Sequence, residues 1–188
     1  LLPASFTAIL IFYFLLTTLY SLLLKKMLFV DVGVLALLYT LRIFAGAAAV
    51  GVPASYWLVA FSLCLFLGLA IVKRVAELVN RDDGENGKLG GRAYRPSQLE
   101  LMTTVGMVAN GLAVLVFMLY INAEETLQLY ASPMLLWLIC PLLVYLLWRI
   151  WHFARRGRLH DDPLLFAASD HISQGVVLLS AAIVWLAI

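Results

Sequence analysis

This chain has little charge. Of its 188 residues, 13% are Asp, Glu, Lys or Arg and 64% are hydrophobic. A soluble domain carries roughly 45–50% apolar residues. A soluble fold of this size is therefore excluded, and lipid must be the solvent for much of the surface. The net charge of +2 offers no broad basic surface. The few cations are tied to loops between apolar runs, which argues against nucleic acid as a partner. Cysteine is scarce too: Cys64 and Cys140 each lie inside an apolar run, with no CxxC pair and no disulfide framework. They read as small core residues. HExxH, GxSxG, P-loop and Rossmann glycine patterns are all missing. Internal repeats and low-complexity tracts are absent as well. The opening LLPASF lacks an initiator Met and a basic n-region, so it is not a signal peptide. The expectation is the C-terminal part of a longer membrane domain, with helices upstream of Leu1.

What is present is apolar run after apolar run. A spanning helix needs about 20 apolar residues. Six stretches qualify, at about 4–24, 31–50, 54–72, 101–121, 132–151 and 165–188. Runs this long and without alternation suit helices rather than strands. Lys25 and Lys26 fall in the first connection. Lys73, Arg74, Arg81, Lys88, Arg92 and Arg95 fall in the third. Arg149, Arg155, Arg156 and Arg158 are assigned to the fifth. The second and fourth connections hold no Lys or Arg. One face is thus basic, and the positive-inside rule makes that face cytoplasmic. The expected fold class is all-α, a polytopic transmembrane helix bundle.

Arg42 is the first polar anomaly. It lies about 11 residues beyond Asp31, roughly 16 Å into the second helix. A central Arg costs about 2.5–3.5 kcal/mol on insertion scales. It is either neutralised by a carboxylate elsewhere in the bundle or holds an anionic ligand in a cavity. Asp31, Leu35, Tyr39 and Arg42 share one helical face. Gly46 and Ala49 continue it and would admit a close neighbour. In KRVAEL, Lys73 and Glu77 are four residues apart, as are Glu77 and Arg81. This pattern fits a snorkelling, salt-bridged helix end. Lys73 also stands where the helix is expected to leave the membrane, where an ammonium suits phosphate.

The loop that follows mixes charges. Asp82, Asp83 and Glu85 suit either a solvated turn or a Mg²⁺ site completed by substrate oxygens. Arg92, Tyr94 and Arg95 are candidate phosphate or headgroup contacts. Asp162 before Pro163 is a helix N-cap with Pro at the first position. His160, Asp161, Asp170 and His171 are not explained by that cap. Asp170 and His171 are expected one to two turns inside the last helix. Asp162 and Asp170 would lie roughly 12 Å apart along it, able to face one polar pocket. Asn110 reads as a small polar contact between helices.

The stretch LRIFAGAAAVGVPASYWLVAFSLCLFLGLAIVKRVAELV and the later RLHDDPLLFAASDHIS resemble the UbiA superfamily of intramembrane prenyltransferases. KRVAEL looks most like the branch that includes decaprenyl-phosphate phosphoribosyltransferase. The resemblance covers essentially the whole chain. It implies a nine-helix fold around a cavity, with residues 1–188 supplying the last six helices of a single transmembrane domain. It also implies Mg²⁺, held mostly by an Asp-rich NDxxDxxxD motif that would lie upstream. A second acidic DxxxD motif of the prenyltransferases proper is replaced here by Lys73-Arg74-Val75-Ala76-Glu77-Leu78.

The implied activity is Mg²⁺-dependent transfer of phosphoribose from phosphoribosyl pyrophosphate to a polyprenyl phosphate. It would take place at the cytoplasmic face of a bacterial inner (plasma) membrane. One alternative is prenyl transfer from a polyprenyl diphosphate to an aromatic or other acceptor. Another is a non-catalytic lipid-phosphate carrier. In the leading reading Arg42 holds a phosphate at depth, and Lys73 holds one at the mouth with Glu77 orienting it. Tyr39 donates a hydrogen bond. Arg74, Arg92, Tyr94 and Arg95 contact phosphate, and Asp162 and Asp170 are secondary polar contacts. Arg42→Ala is then expected to abolish turnover while leaving the protein folded in detergent; unchanged turnover would remove Arg42 from the site.

Overall fold

The computed structural model describes residues 3–27, 29–80, 96–159 and 162–188. Among these the regular structure is entirely helical: α1 (Ala4–Leu22), α2 (Val30–Val50), α3 (Tyr56–Val79), α4 (Leu99–Ile121), α5 (Glu124–Leu129), α6 (Ile139–Arg155), α7 (Pro163–Ser169) and α8 (His171–Ala187). A 3₁₀ segment, Pro133–Leu138, runs straight into α6. Five helical runs are long and apolar enough to cross a bilayer, and the α7–α8 pair makes a sixth if counted as one broken span. The chain is an all-α, polytopic membrane bundle. The described Lys- and Arg-bearing connections, after α1 and after α6, adjoin the C-terminal end of α3, here called the basic end.

α3 is the central helix, packed on α2 along one side and α4 along the other. Its extent corrects the sequence expectation. The third span does not stop at Val72; the helix continues to Val79, about 10 Å further. Val72, Val75 and Ala76 recur at helical spacing and are almost completely buried. Only an unbroken helix keeps that stripe against the core formed with Ile71, Met102 and Trp151. KRVAEL is therefore part of the packed helix. Arg149 also moves, from the fifth connection into α6.

The last span is not one helix. α7 and α8 are bent by 84° at Asp170. Asp170 has extended backbone angles and caps α8, accepting from the Ser173 backbone N–H at 2.8 Å. The expectation of Asp170 inside a continuous helix fails because Asp at an N-cap satisfies orphan N–H groups that a straight helix would leave no reason to expose. At the far end, the Ser132 N–H donates to the Ala187 carbonyl at 3.0 Å and ties α8 to the start of the sixth run.

Two glycines set the helix spacing. A Cβ on Gly68 of α3 would stand 1.8 Å from Asn110 Oδ1 of α4, and one on Gly106 of α4 would stand 2.5 Å from Trp151 of α6. Asn110 is indeed at a helix–helix contact, but its amide has no hydrogen-bond partner. The close approach expected at Gly46 is not made: nothing lies within 4 Å of a Cβ there. Cys64 and Cys140 are free thiols within helices, as read from the sequence.

Gly68→Ala is expected to destabilise by about 1–3 kcal/mol, the usual cost of overpacking. Adding Asn110→Ala should recover most of that loss. Thermal unfolding in detergent measures both, and a Gly68→Ala midpoint equal to wild type would contradict so tight a contact.

Candidate functional site at the basic end

Two ion-pair systems organise the basic end, and they begin from adjacent residues of α3. Arg74 turns inward. It is 2% exposed, and Asp31, in the first turn of α2, is 0% exposed. Arg74 Nε donates to Asp31 Oδ2 at 2.6 Å, and Nη1 donates to Glu77. Tyr20 Oη on α1 donates to Asp31 Oδ1 at 2.7 Å. The guanidinium fork is thus occupied by protein, and the cluster ties α1, α2 and α3 together. Arg74 is a structural residue and not the expected phosphate contact. Glu77 serves Arg74 three residues before it, so the expected role of orienting Lys73 is also corrected.

Lys73 turns the other way. Its Nζ lies 2.7 Å from Asp162 Oδ2, and both side chains are about one-third exposed, at 37% and 29%. Asp162 Oδ1 accepts from the Leu164 N–H at 3.1 Å, so the cap read from the sequence is formed by the same carboxylate. Lys73, Asp162, Tyr39 and Phe66 line a cavity of about 30 Å³ whose other walls are apolar, including Leu35 and Leu69. Tyr39 stacks on Phe66 with ring centres 5.0 Å apart. In this arrangement the cavity admits water-sized groups. Anything larger requires Lys73 and Asp162 to separate. An exposed ammonium held by one movable carboxylate is a site at which an external anion can compete.

The other expected site residues are dispersed. Arg42 is exposed and is not in the cavity wall. Its Nη2 donates to Tyr13 Oη at 2.8 Å, and its guanidinium lies 4.9 Å from the Tyr39 ring centre. Neither the neutralising carboxylate nor burial is found for it among the described residues. Asp170 does not share a pocket with Asp162. It is held by Arg149 in a two-pronged pair, Nε to Oδ2 at 3.0 Å and Nη2 to Oδ1 at 2.8 Å. Arg92, Tyr94 and Arg95 lie outside the described residues, as do Arg81, Asp82, Asp83, Glu85, Lys88, His160 and Asp161.

Sequence reasoning missed Asp31 and Tyr20 as partners of Arg74, Tyr13 as partner of Arg42, and Arg149 as partner of Asp170. Local spacing signals none of these pairings; it marks only the helix start at Asp170, with Ser173 three residues later. The described residues alone do not form a Mg²⁺ site. Among the described residues no three His, Cys, Asp or Glu side chains converge. Asp31, Glu77, Asp162 and Asp170 each already face Arg or Lys.

Asp31→Ala should leave Arg74 buried and short of a partner. A loss of about 3–5 kcal/mol is expected, the usual cost of breaking a buried pair from one side. The check is thermal unfolding in detergent, with Tyr20→Phe as a milder control.

The chain matches no family model. It is 34% identical over 175 residues to the uncharacterized protein y4nM of Sinorhizobium fredii, covering 92% of this chain and 34% of that protein. It is 33% identical over 141 residues to the nodulation protein NoeC of Azorhizobium caulinodans, covering 74% of this chain and 46% of that one. The chain thus spans between a third and a half of the length of these curated relatives.

Proposed function

We propose that the full-length protein is a UbiA-type membrane transferase acting on a polyprenyl-phosphate lipid at its basic, cytoplasmic end. The observation that carries the reading is the Lys73–Asp162 pair closing a small, otherwise apolar cavity between α2, α3 and α7. A lipid phosphate would replace Asp162 on Lys73, while the apolar walls of Leu35, Phe66 and Leu69 receive the first part of the chain. In its most specific form the reaction is phosphoribosyl transfer. A lipid phosphate oxygen forms a bond to C1 of the ribose, and the bond from C1 to the pyrophosphate oxygen breaks, releasing pyrophosphate. Lys73 would hold the acceptor phosphate and lower its cost of approach to a second anion. Mg²⁺ belongs to the reading as a neutraliser of pyrophosphate, with ligands outside the described residues.

The test supplies full-length protein in detergent with labelled phosphoribosyl pyrophosphate, a polyprenyl phosphate and Mg²⁺. Label entering the lipid fraction, and stopped by EDTA, is the expected result. Lys73→Met should lower transfer about 10- to 100-fold, the worth of one hydrogen bond to a charged group. Asp162→Asn keeps a good cap and frees Lys73, so KM for the lipid phosphate should fall. Absence of transfer, with lipid shown to bind, would point instead to prenyl transfer or a carrier.

A further inference from the structure

A second feature of the basic end lies on α6, outside the Lys73 cavity, and does not depend on the proposed reaction. Two hollows adjoin there. The upper one, about 220 Å³, is lined by Trp148, Arg149, His152, Phe153, Arg156 and Arg158. The lower one, about 240 Å³, lies between α4 and α6 and is walled by Met107, Gly111, Val114, Val144 and Leu147, with Asn110 and Trp151 at its floor. Trp148 lines both.

Their chemistry differs in a consistent direction. Arg149 is neutralised by Asp170 and lies 4.9 Å from the Phe153 ring centre. Arg156 and Arg158 are exposed, and among the described residues neither meets an acid. Among the described residues these two guanidinium groups therefore stand without an acidic partner at the rim, close to the His152 ring that stacks on Trp148 at 5.1 Å. Below them the surface turns apolar, toward the middle of two spans. Asn110 packs its amide against Gly68 on α3, leaving the groove walls apolar. Trp148 itself is 57% exposed, at the join between polar and apolar zones where Trp favours a membrane interface.

We propose that this α4–α6 face binds an anionic phospholipid of the surrounding bilayer. The headgroup phosphate sits between Arg156 and Arg158, and one acyl chain lies in the groove below Trp148. Positive charge at the rim selects an anionic over a zwitterionic headgroup, and the apolar length beneath it selects a lipid over a free phosphate.

The experiment uses full-length protein in mild detergent and native mass spectrometry. Phosphatidylglycerol and phosphatidylcholine with the same acyl chains are supplied at equal ratio. Preferential retention of phosphatidylglycerol is expected. Arg156→Gln with Arg158→Gln should cut that retention roughly 10- to 30-fold, about fivefold per cation, and leave phosphatidylcholine unchanged. Gly111→Leu supplies the second variant. A Cβ there meets nothing within 4 Å, and Gly111 lines the groove, so a larger side chain is directed at space the acyl chain would take. It should reduce retention of both lipids while the melting temperature stays at the wild-type value. Equal retention of the two lipids by the wild type would overturn the proposal. So would displacement of phosphatidylglycerol by excess inorganic phosphate with no effect of Gly111→Leu, which would leave only a free-anion site.

Discussion

The buried pair of Asp31 and Arg74 is the constraint on which the rest of the basic end depends. In a protein dissolved in lipid, an uncompensated charge within the helix packing is costly. Arg74 avoids that cost by meeting Asp31 and Glu77, with Tyr20 on the remaining side. The partners come from α1, α2 and α3, so satisfying one guanidinium fixes three helices at one end. Once Arg74 faces inward, helical geometry turns Lys73 about 100° away, toward α7 and Asp162. The interior pair and the cavity pair are thus set by one helix rotation.

Much of the architecture was legible because its cause is local. Continuous apolar runs gave the spans, and the alternation of basic and non-basic connections gave one charged end. Asp162 before Pro163 gave the start of α7, which forms as read. Less legible was where helices stop. Hydropathy falls at Lys73, yet α3 continues, because Val75 and Ala76 are held by tertiary packing that a hydropathy run does not register. Asp170 sits in the polar run Ser169-Asp170-His171-Ile172-Ser173-Gln174 near the start of the last apolar segment, and a window average over the whole segment passes over the bend there.

The site was less legible than the fold for a related reason. Spacing of four along KRVAEL suggested that Lys73 pairs with Glu77. The alternatives lay elsewhere in the chain: Asp162 is 89 residues from Lys73, and Asp31 is 43 from Arg74. Charge types can be read from sequence, but which charge meets which is decided by helix packing. Tyr39, Lys73 and Asp162 were named for the same site and do line one cavity, whereas Arg42 and Asp170 belong to two other contacts.

α7 joins two of those contacts. Asp162 at its start grips α3, and Asp170 just past its end grips α6. Seven residues of helix span about 10 Å, so α7 acts as a bar that bridges α3 and α6 at the basic end, beside their direct packing. Its phase matters as much as its length. One residue added or removed would turn one carboxylate about 100° relative to the other, and a bar of the wrong phase can hold only one of its two posts.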